Sequence, residues 1–323
     1  MTAPGAAGRA ADWWGTDDVC VRFGDTLALD HVSFRAEPGR VSAVVGGDGA
    51  GRTTLLRCLA GALAPASGQV RRPAPVATGY LSAGSGTYPD LSVTENLAFR
   101  ATAYRIPPQA ARERSGELLA RAGLDRVTGR LAGQLSGGMR QKLGVIAAML
   151  HRPDLLILDE PTTGVDPVSR SDLWWLIARA AADGAAVVLA TSYLDEAERA
   201  HAVLVLDAGA ELASGTPEQI VAAMPGTLTA MGTRPGGEAG RRAWRREGRW
   251  RVWDPAGPDT ADAVAPGPQR AVARSSRGAV ARGSRDAVAP GSRDVVAPDL
   301  QDAVTVASLA RELARVPAEQ ESR

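Results

Sequence analysis

Apolar and polar residues alternate in two different rhythms along the first two thirds of the chain. Residues 17–36 alternate regularly, which predicts antiparallel strands with one buried face each. Continuous apolar runs predict strands buried on both faces, and they lie at residues 40–45, 154–160 and 185–192. Helical spacing predicts helices at residues 52–63, 107–124 and 171–184. Strands that alternate with helices predict an α/β sheet domain that ends near residue 225.

The last hundred residues follow a different pattern. From residue 261 a period of eight residues appears, rich in Pro, Gly, Ser and Arg. This composition predicts a disordered or loosely ordered segment over residues 261–300, with an interaction segment as the alternative. Residues 241–253 mix arginine with tryptophan, and we interpret them as two strands joined by a turn at Glu247–Gly248. A basic patch for nucleic acid or lipid is the alternative there.

Composition limits the possible partners. A net charge of +1 gives no electrostatic reason to expect nucleic acid as a partner. Cys20 and Cys58 are far apart and form no metal or redox motif, so we expect buried thiols in a reducing compartment. Residues 1–16 lack the apolar core of a signal peptide and are expected to be flexible. Since no apolar run approaches about 18 residues, we expect a soluble protein that reaches a membrane only through a partner.

A glycine-rich loop at residues 46–54, "GGDGAGRTT", follows a predicted strand and precedes a predicted helix. Glycines at Gly46, Gly49 and Gly51 allow backbone N–H groups to converge on phosphate oxygens at a helix N-terminus. Thr53 can offer its hydroxyl to Mg²⁺. A glycine-rich turn without a ligand is the alternative for this stretch taken alone.

Two carboxylates end the apolar run at residues 155–158. A parallel sheet delivers residues at this position, here Asp159 and Glu160, to the ligand crevice. One carboxylate can hold a metal through water, while the other orients and deprotonates an attacking water. A pair that caps a helix starting at Pro161 is the alternative.

Two longer motifs identify a family. With "LSGGMRQK" (135–142) and "LLILDEPTTGVDP" (155–167), residues 17 to about 225 resemble the ATP-binding subunits of ABC transporters. Asp48, "GVDP" and "SYLDEAE" are similar to the drug-efflux (ABC-2 type) members. The resemblance implies a P-loop NTPase of α/β class, with an antiparallel β subdomain and a helical subdomain at about residues 84–150. Residues 226–323 resemble the small C-terminal extension of drug exporters, interrupted by the low-complexity insertion.

The resemblance also implies roles for particular residues. Phe23 would stack on adenine, Thr53 and Asp159 would serve Mg²⁺, Glu160 would be the catalytic base, and Ser192 would occupy the switch position. The ATP phosphates would be wrapped by Gly46, Gly47, Asp48, Gly49, Ala50, Gly51, Arg52, Thr53 and Thr54. In a head-to-tail dimer, Ser136, Gly137 and Gly138 would touch the partner's nucleotide, and Asp166 would communicate between the subunits.

Three residues depart from the family pattern. Arg52 replaces the lysine of the phosphate loop, Ala83 replaces a glutamine, and Ser192 replaces a histidine, as it also does in the drug-efflux members. Arginine keeps the charge but is a planar fork where lysine is a point charge. Because losing one preorganised contact costs about 10²–10³ in rate, we expect slowed hydrolysis with retained ATP binding.

The resemblance implies an ATPase subunit that powers an efflux transporter together with a separate integral-membrane permease. It would lie at the cytoplasmic face of the cell membrane, as a homodimer or as a heterodimer with another ATP-binding subunit. A slowly hydrolysing or regulatory subunit that completes the site of a competent partner is the alternative. An ATPase acting on ribosomes or DNA is disfavoured, because those proteins carry two such domains or a coiled-coil insertion.

Overall fold

The computed structural model describes residues 13–256 and 294–321 of the chain. Two compact units make up the protein, residues 1–220 and residues 221–323. The division falls inside a short helix, Pro217–Ala222. It therefore lies slightly before the boundary that the sequence predicts near residue 225.

The elements of the first unit follow the predicted alternation. Its strands are β1 (Trp14–Phe23), β2 (Thr26–Ala36), β3 (Val41–Gly46), β4 (Ser67–Arg71), β5 (Thr78–Leu81), β6 (Leu155–Asp159), β7 (Ala186–Thr191), β8 (Ala202–Asp207) and β9 (Ala210–Gly215). Its helices are α1 (Arg52–Ala60), α2 (Val93–Ala103), α3 (Pro108–Arg121), α4 (Gly137–Met149), α5 (Pro167–Ala182), α6 (Leu194–Ala197) and α7 (Pro217–Ala222), the last of which crosses the division.

A six-stranded sheet forms the centre of this unit. Its order is β5-β6-β7-β3-β8-β9, parallel except for the antiparallel edge strand β9. Every residue of β6 and β7 is buried, as expected for continuous apolar runs in a parallel sheet. The α/β fold class predicted from the sequence is therefore confirmed.

Two apolar clusters cover the two faces of this sheet. Alternate residues of β6 divide between them, so that Leu156 and Leu158 face one cluster while Leu155 and Ile157 face the other. The first cluster includes residues of α2, α3, α4 and α5, and the second includes residues of α1 and of an antiparallel sheet ordered β2-β1-β4. Helices α2, α3 and α4 lie within the region predicted to be helical, residues 84–150.

The first strand begins earlier than the sequence predicted. β1 starts at Trp14, which pairs with Ala36, inside the segment expected to be a flexible terminus. The guanidinium groups of Arg35 and Arg71 each lie 4.8 Å from the ring centre of Trp13. These cation–π contacts and the extended ladder account for the earlier start.

The second unit is a small sheet with a helix. Its elements are β10 (Thr227–Met231), α8 (Gly237–Arg241), β11 (Ala243–Arg246), β12 (Arg249–Asp254), β13 (Asp294–Val295) and α9 (Leu300–Glu321). The strand order is β11-β12-β10-β13, and all neighbours are antiparallel. Leu228, Trp253 and Val306 form the buried centre of this unit.

The predicted hairpin is confirmed, because β11 and β12 pair across a turn in which Glu247 and Gly248 have φ values of 50° and 81°. Most of the segment predicted to be disordered, residues 261–300, lies outside the described residues, which resume at Asp294. Its end, however, is ordered. Asp294 and Val295 pair with β10, and the Asp294 carboxylate lies 2.6 Å from the Arg249 guanidinium, which the eight-residue composition did not reveal.

Within residues 13–256 and 294–321, no helix is both long and apolar enough to cross a membrane. The single lysine of the chain, Lys142, lies almost completely buried on α4. Its ammonium donates to the carbonyl of Ala122 at 3.1 Å and to Asp172 Oδ2 at 2.5 Å. It thereby joins the end of α3 to α4 and α5, which a compact ammonium can do in a narrow space.

We expect Lys142→Ala to lower the free energy of unfolding by about 1–3 kcal/mol, because it removes both bonds and leaves the buried carbonyl of Ala122 without this donor. Urea denaturation monitored by circular dichroism measures this change. The matched control is Arg112→Ala on the exposed face of α3, with an expected change within about 0.5 kcal/mol. Equal stability of the two variants would contradict the role of Lys142.

Candidate nucleotide-binding site

The glycine loop connects β3 to α1 at the carboxyl edge of the parallel sheet. Gly49 and Gly51 have φ values of 77° and 102°, in the left-handed region that glycine adopts without strain. A Cβ atom on Gly46 would lie 2.4 Å from the carbonyl oxygen of Leu206. Gly51 precedes α1, and no side chain of the described residues caps this helix. The first N–H groups of this helix therefore have no side-chain acceptor and favour an anion.

The guanidinium of Arg52 pairs with Glu160. Arg52 Nη2 lies 2.7 Å from Glu160 Oε1 and 3.7 Å from Asp48 Oδ1. The side chain of Arg52 is only 10% exposed. Its second terminal nitrogen, Nη1, is buried and has no hydrogen-bond partner among the described residues. One arm of the fork is thus engaged, and the other is a buried donor that lacks an acceptor.

The strand ends bring Glu160 to this arginine. Asp159 pairs with Ala190 of β7, and the Glu160 N–H donates to the Ala190 carbonyl at 2.9 Å. Glu160 then turns out of the strand with a φ of 53°. The hydroxyl of Thr163 donates to Glu160 Oε2, and the Ser192 hydroxyl lies 3.4 Å from the same oxygen. Arg52, Thr163 and Ser192 therefore fix this carboxylate at the sheet edge.

The alternative that Asp159 and Glu160 cap a helix at Pro161 is wrong. The next helix, α5, begins at Pro167, and its cap is Asp166. Asp166 Oδ1 accepts hydrogen bonds from the N–H groups of Ser169 at 3.0 Å and Val168 at 3.1 Å. These bonds, the one from Ser169 first, lower the pKa of the Asp166 carboxyl. Asp159 and Glu160 are thereby left without a capping role.

Asp159 is a buried carboxylate that lacks partners. It is 1% exposed, and among the described residues neither of its oxygens has a hydrogen-bond partner of normal geometry. Burial raises the pKa of the Asp159 carboxyl and nearby Glu160 adds to this, while the Thr53 hydroxyl, Arg52 and Arg57 act in the opposite direction. Such a group requires a compensating ligand.

Mg²⁺ fits this arrangement. The two oxygens of Asp159 are hard acceptors, and the Thr53 hydroxyl lies close enough to influence their protonation. Mg²⁺ prefers oxygen ligands and binds through one or two carboxylates with several retained waters. The donor set therefore suits this ion, with Asp159 and Thr53 as the residues that would hold it.

The other residues that the sequence predicts to contact the nucleotide differ in their exposure. Gly47 and Asp48 are exposed, Ala50 is buried, and Thr54 is partly buried in the first turn of α1. Phe23 ends β1 with half of its surface exposed. An exposed phenylalanine has an apolar face available for stacking.

Ala83 follows the end of β5, whose last residue, Leu81, pairs with Leu158 of β6. This register brings Ala83 to the same edge as Glu160, but its methyl group offers no hydrogen bond. Ser192 follows β7 at the same edge and contacts Glu160. Of the two altered positions, Ser192 thus keeps a polar contact with the carboxylate and Ala83 does not.

The predicted second anion site begins α4. Ser136 caps this helix by accepting from the Met139 N–H at 3.3 Å, and Ser136 and Gly137 are exposed. A Cβ atom on Gly138 would lie 3.1 Å from the Ser169 hydroxyl oxygen, so this glycine permits close packing on α5. Among the described residues, no hydrogen bond or ion pair joins Ser136 to the chain's own glycine loop.

Two features of this site are not apparent from the sequence. Thr163 lies inside the "DEPTTG" motif, but only the fold shows its bond to Glu160. A buried carboxylate, Glu196, accepts bonds from the hydroxyls of Thr162 at 2.9 Å and Thr191 at 2.7 Å. It lies 3.7 Å from Arg170 on α5. This network connects the residues beside Glu160 to those beside Ser192, and no local pattern indicates it.

Comparisons with known proteins agree with this geometry. A model of the ABC transporter family matches residues 29–163. Over 212 residues the chain is 41% identical to the probable multidrug ABC transporter ATP-binding protein YbhF of Escherichia coli. That alignment covers 62% of this chain but only 37% of YbhF, so the chain spans well under half of that relative.

Two further matches span most of the compared proteins. The chain is 34% identical over 230 residues to the daunorubicin resistance ATP-binding protein DrrA3 of Streptomyces coeruleorubidus, covering 68% of this chain and 73% of DrrA3. A solved structure of an ATP-binding subunit of an ABC transporter is 28% identical, with a TM-score of 0.60. It covers 64% of this chain and 91% of the solved one.

The lack of partners for Asp159 predicts a gain in stability for Asp159→Asn without ligand. Because folding raises the pKa of this carboxyl, its charge costs stability above the unfolded pKa of about 3.9. We expect the thermal midpoint at pH 7 to rise by about 2–4 °C, which is about 1 kcal/mol for a domain of this size.

As the pH falls below the unfolded pKa, both states are protonated and the difference should disappear. The control is Asp154→Asn at the opposite, exposed end of β6, with no expected gain. An Asp159→Asn midpoint at pH 7 equal to or below that of the parent protein would contradict the unpartnered charge.

Proposed function

The chain belongs to the ATP-binding subunits of ABC transporters, in the branch that serves drug efflux, and on this premise we propose that it hydrolyses ATP to drive export. The observation that carries the proposal is the convergence of the glycine loop, the unpartnered Asp159 and the oriented Glu160 at one sheet edge. A capless helix N-terminus supplies donors for phosphate, and the two carboxylates supply a metal ligand and a base.

In this proposal ATP binds with its phosphates along the glycine loop. The N–H groups of the loop and of the first turn of α1 bind phosphate oxygens, and the free Nη1 of Arg52 donates to one of them. Phe23 contacts the adenine ring. Bound Mg²⁺ would neutralise phosphate charge, held by Thr53 and Asp159.

Glu160 acts as the general base in this proposal. A base must lie within hydrogen-bond reach of the attacking water, and the water of an in-line attack approaches from beyond the terminal phosphate. Ser192 and Thr163 hold the carboxylate in position.

The ion pair between Arg52 and Glu160 gives a physical reason for a slow reaction. The guanidinium that serves the phosphates is already bonded to the base at 2.7 Å. Lysine would offer a single point charge, which can move to the phosphates and leave the carboxylate free. We propose that the chain retains ATP binding but hydrolyses ATP more slowly than it would with lysine in the loop.

The proposed assembly contains a separate membrane permease and a second ATP-binding subunit, identical or different. The exposed N-terminus of α4, with Ser136 and Gly137, is suited to bind the partner's nucleotide, since it does not serve the chain's own loop. Asp166 lies at the start of α5, against which Gly138 packs. Bound to the permease, the subunit would lie at the cytoplasmic face of the membrane.

Glu160→Gln should lower the rate of Mg²⁺-dependent ATP hydrolysis by about 10²–10⁴, because glutamine cannot accept the proton of water. Phosphate release from the purified full chain measures the rate. The matched control is Glu113→Gln on the exposed face of α3, for which no change is expected. A rate unaffected by Glu160→Gln would contradict the assignment of the base.

Arg52→Lys should raise the rate of ATP hydrolysis by about tenfold or more. One preorganised contact contributes a factor of about 10²–10³ to a rate, and we expect lysine to restore part of that factor. The change keeps the positive charge and removes the fork that holds Glu160. Arg112→Lys on α3 is the matched control. An unchanged or lower rate with Arg52→Lys would mean that the site is tuned to arginine.

A further inference from the structure

Four metal-ligand side chains gather on the exposed face of the β1–β2 pair, outside the residues assigned to the nucleotide. One ligand atom each from Cys20, Asp30 and His31 lies within 4.8 Å of the others. Asp18 adjoins this group and bonds to His31. The cluster combines a sulfur, an imidazole nitrogen and a carboxylate oxygen, which is the donor set of a transition-metal dication.

Two β-bulges create this convergence. Val19 pairs with Val32 and Val21 with Leu29, so that Asp30 and His31 together lie opposite the single residue Cys20. A second register shift, between the pairings of Thr16 and Val19, places Asp17 and Asp18 opposite Ser33. A regular ladder would send Asp30 and His31 to opposite faces, whereas the bulge keeps both on the outer face.

The backbone at these bulges is strained at two residues that are not glycine. His31 has a φ of 52° and Asp18 a φ of 53°. A left-handed conformation is unfavourable for a residue with a side chain and is concentrated at functional sites. The side chains of these two strained residues bond to each other, so the strained backbone positions them for this contact.

The hydrogen bonds orient the ligands toward a common point. Because Asp18 Oδ1 can only accept, His31 donates to it from Nδ1 at 2.8 Å, and in the neutral imidazole Nε2 is then the unprotonated nitrogen. Nε2 lies 3.9 Å from Asp30 Oδ1. The His31 N–H donates to Cys20 Sγ at 3.3 Å. A carboxylate behind the histidine and a donor on the sulfur are the usual outer contacts of metal ligands.

We propose that Cys20, Asp30 and His31 bind Zn²⁺, with Asp18 as the outer partner of the histidine and water as the fourth ligand. Bonds of about 2.0–2.3 Å place tetrahedral ligands about 3.3–3.8 Å apart, so small side-chain rotations close the site. Mg²⁺ is not the expected ion, because it prefers oxygen ligands. Surface ion pairs of His31 with Asp18 and Asp30 account for these three residues but not for the thiol of Cys20 beside them.

The test measures Zn²⁺ binding to the full nucleotide-free chain by titration calorimetry, with excess Mg²⁺ in the buffer. One Zn²⁺ per chain is expected. Cys20→Ser and His31→Asn should each weaken its affinity more than tenfold, and Asp18→Asn by about 10–100-fold. The matched control is His201→Asn, at the exposed residue just before β8, and it should leave the affinity unchanged.

Binding of Co²⁺ gives a second readout that does not depend on activity. A thiolate-to-cobalt absorption band should appear in the parent chain and disappear in Cys20→Ser, which retains the buried Cys58. Circular dichroism of each variant confirms that the fold is intact. Absence of saturable Zn²⁺ binding would overturn the proposal, and so would equal affinity in the parent chain, Cys20→Ser and His31→Asn.

Discussion

The parallel pairing of β6, β7 and β3 is the constraint on which the site depends. Parallel strands end at the same edge of a sheet, so the glycine loop after β3 and the residues after β6 and β7 meet there. Asp159, Glu160 and Ser192 are distant from the loop in sequence but adjacent at this edge. Apolar packing on both faces fixes the register of these strands, and the register determines which side chains meet at the site.

The ion pair between Arg52 and Glu160 gives the guanidinium of Arg52 two roles at this edge. Arg52 neutralises Glu160 beside a carboxylate, Asp159, that is buried and raised in pKa. Without the guanidinium, two ionised carboxylates would be adjacent in a poorly solvated space. The same group supplies a donor to the phosphates in the proposed function. In the proposed function, ATP binding and release of the base would therefore be coupled through the side chain of Arg52.

The sequence predicted the parts of the fold that depend on local pattern. Continuous apolar runs predicted β6 and β7, the glycine loop predicted the β3–α1 connection, and Glu247–Gly248 predicted the hairpin turn. It did not predict the contact between Arg52 and Glu160, because their positions in sequence carry no information about distance. The strand at Asp294–Val295 was also missed, because its pairing with β10 is a tertiary choice.

The bulges of the β1–β2 pair are another feature that the sequence pattern did not predict. Alternation predicted the two strands but assigned each side chain to a face by a strict period of two. One additional residue in a strand changes that assignment, and it brings His31 and Asp30 to the side of Cys20. Both cysteines were expected to be buried thiols; Cys58 is buried, and Cys20 has intermediate burial on the outer side of β1.

The central claim is that the carboxyl edge of the parallel sheet is a site for ATP with Mg²⁺. Titration calorimetry of the nucleotide-free chain with ATP, in the presence and in the absence of Mg²⁺, tests it most directly. The account predicts one saturable ATP site per chain whose affinity increases when Mg²⁺ is present, because the ion satisfies Asp159. Absence of saturable binding, or an affinity independent of Mg²⁺, would contradict it.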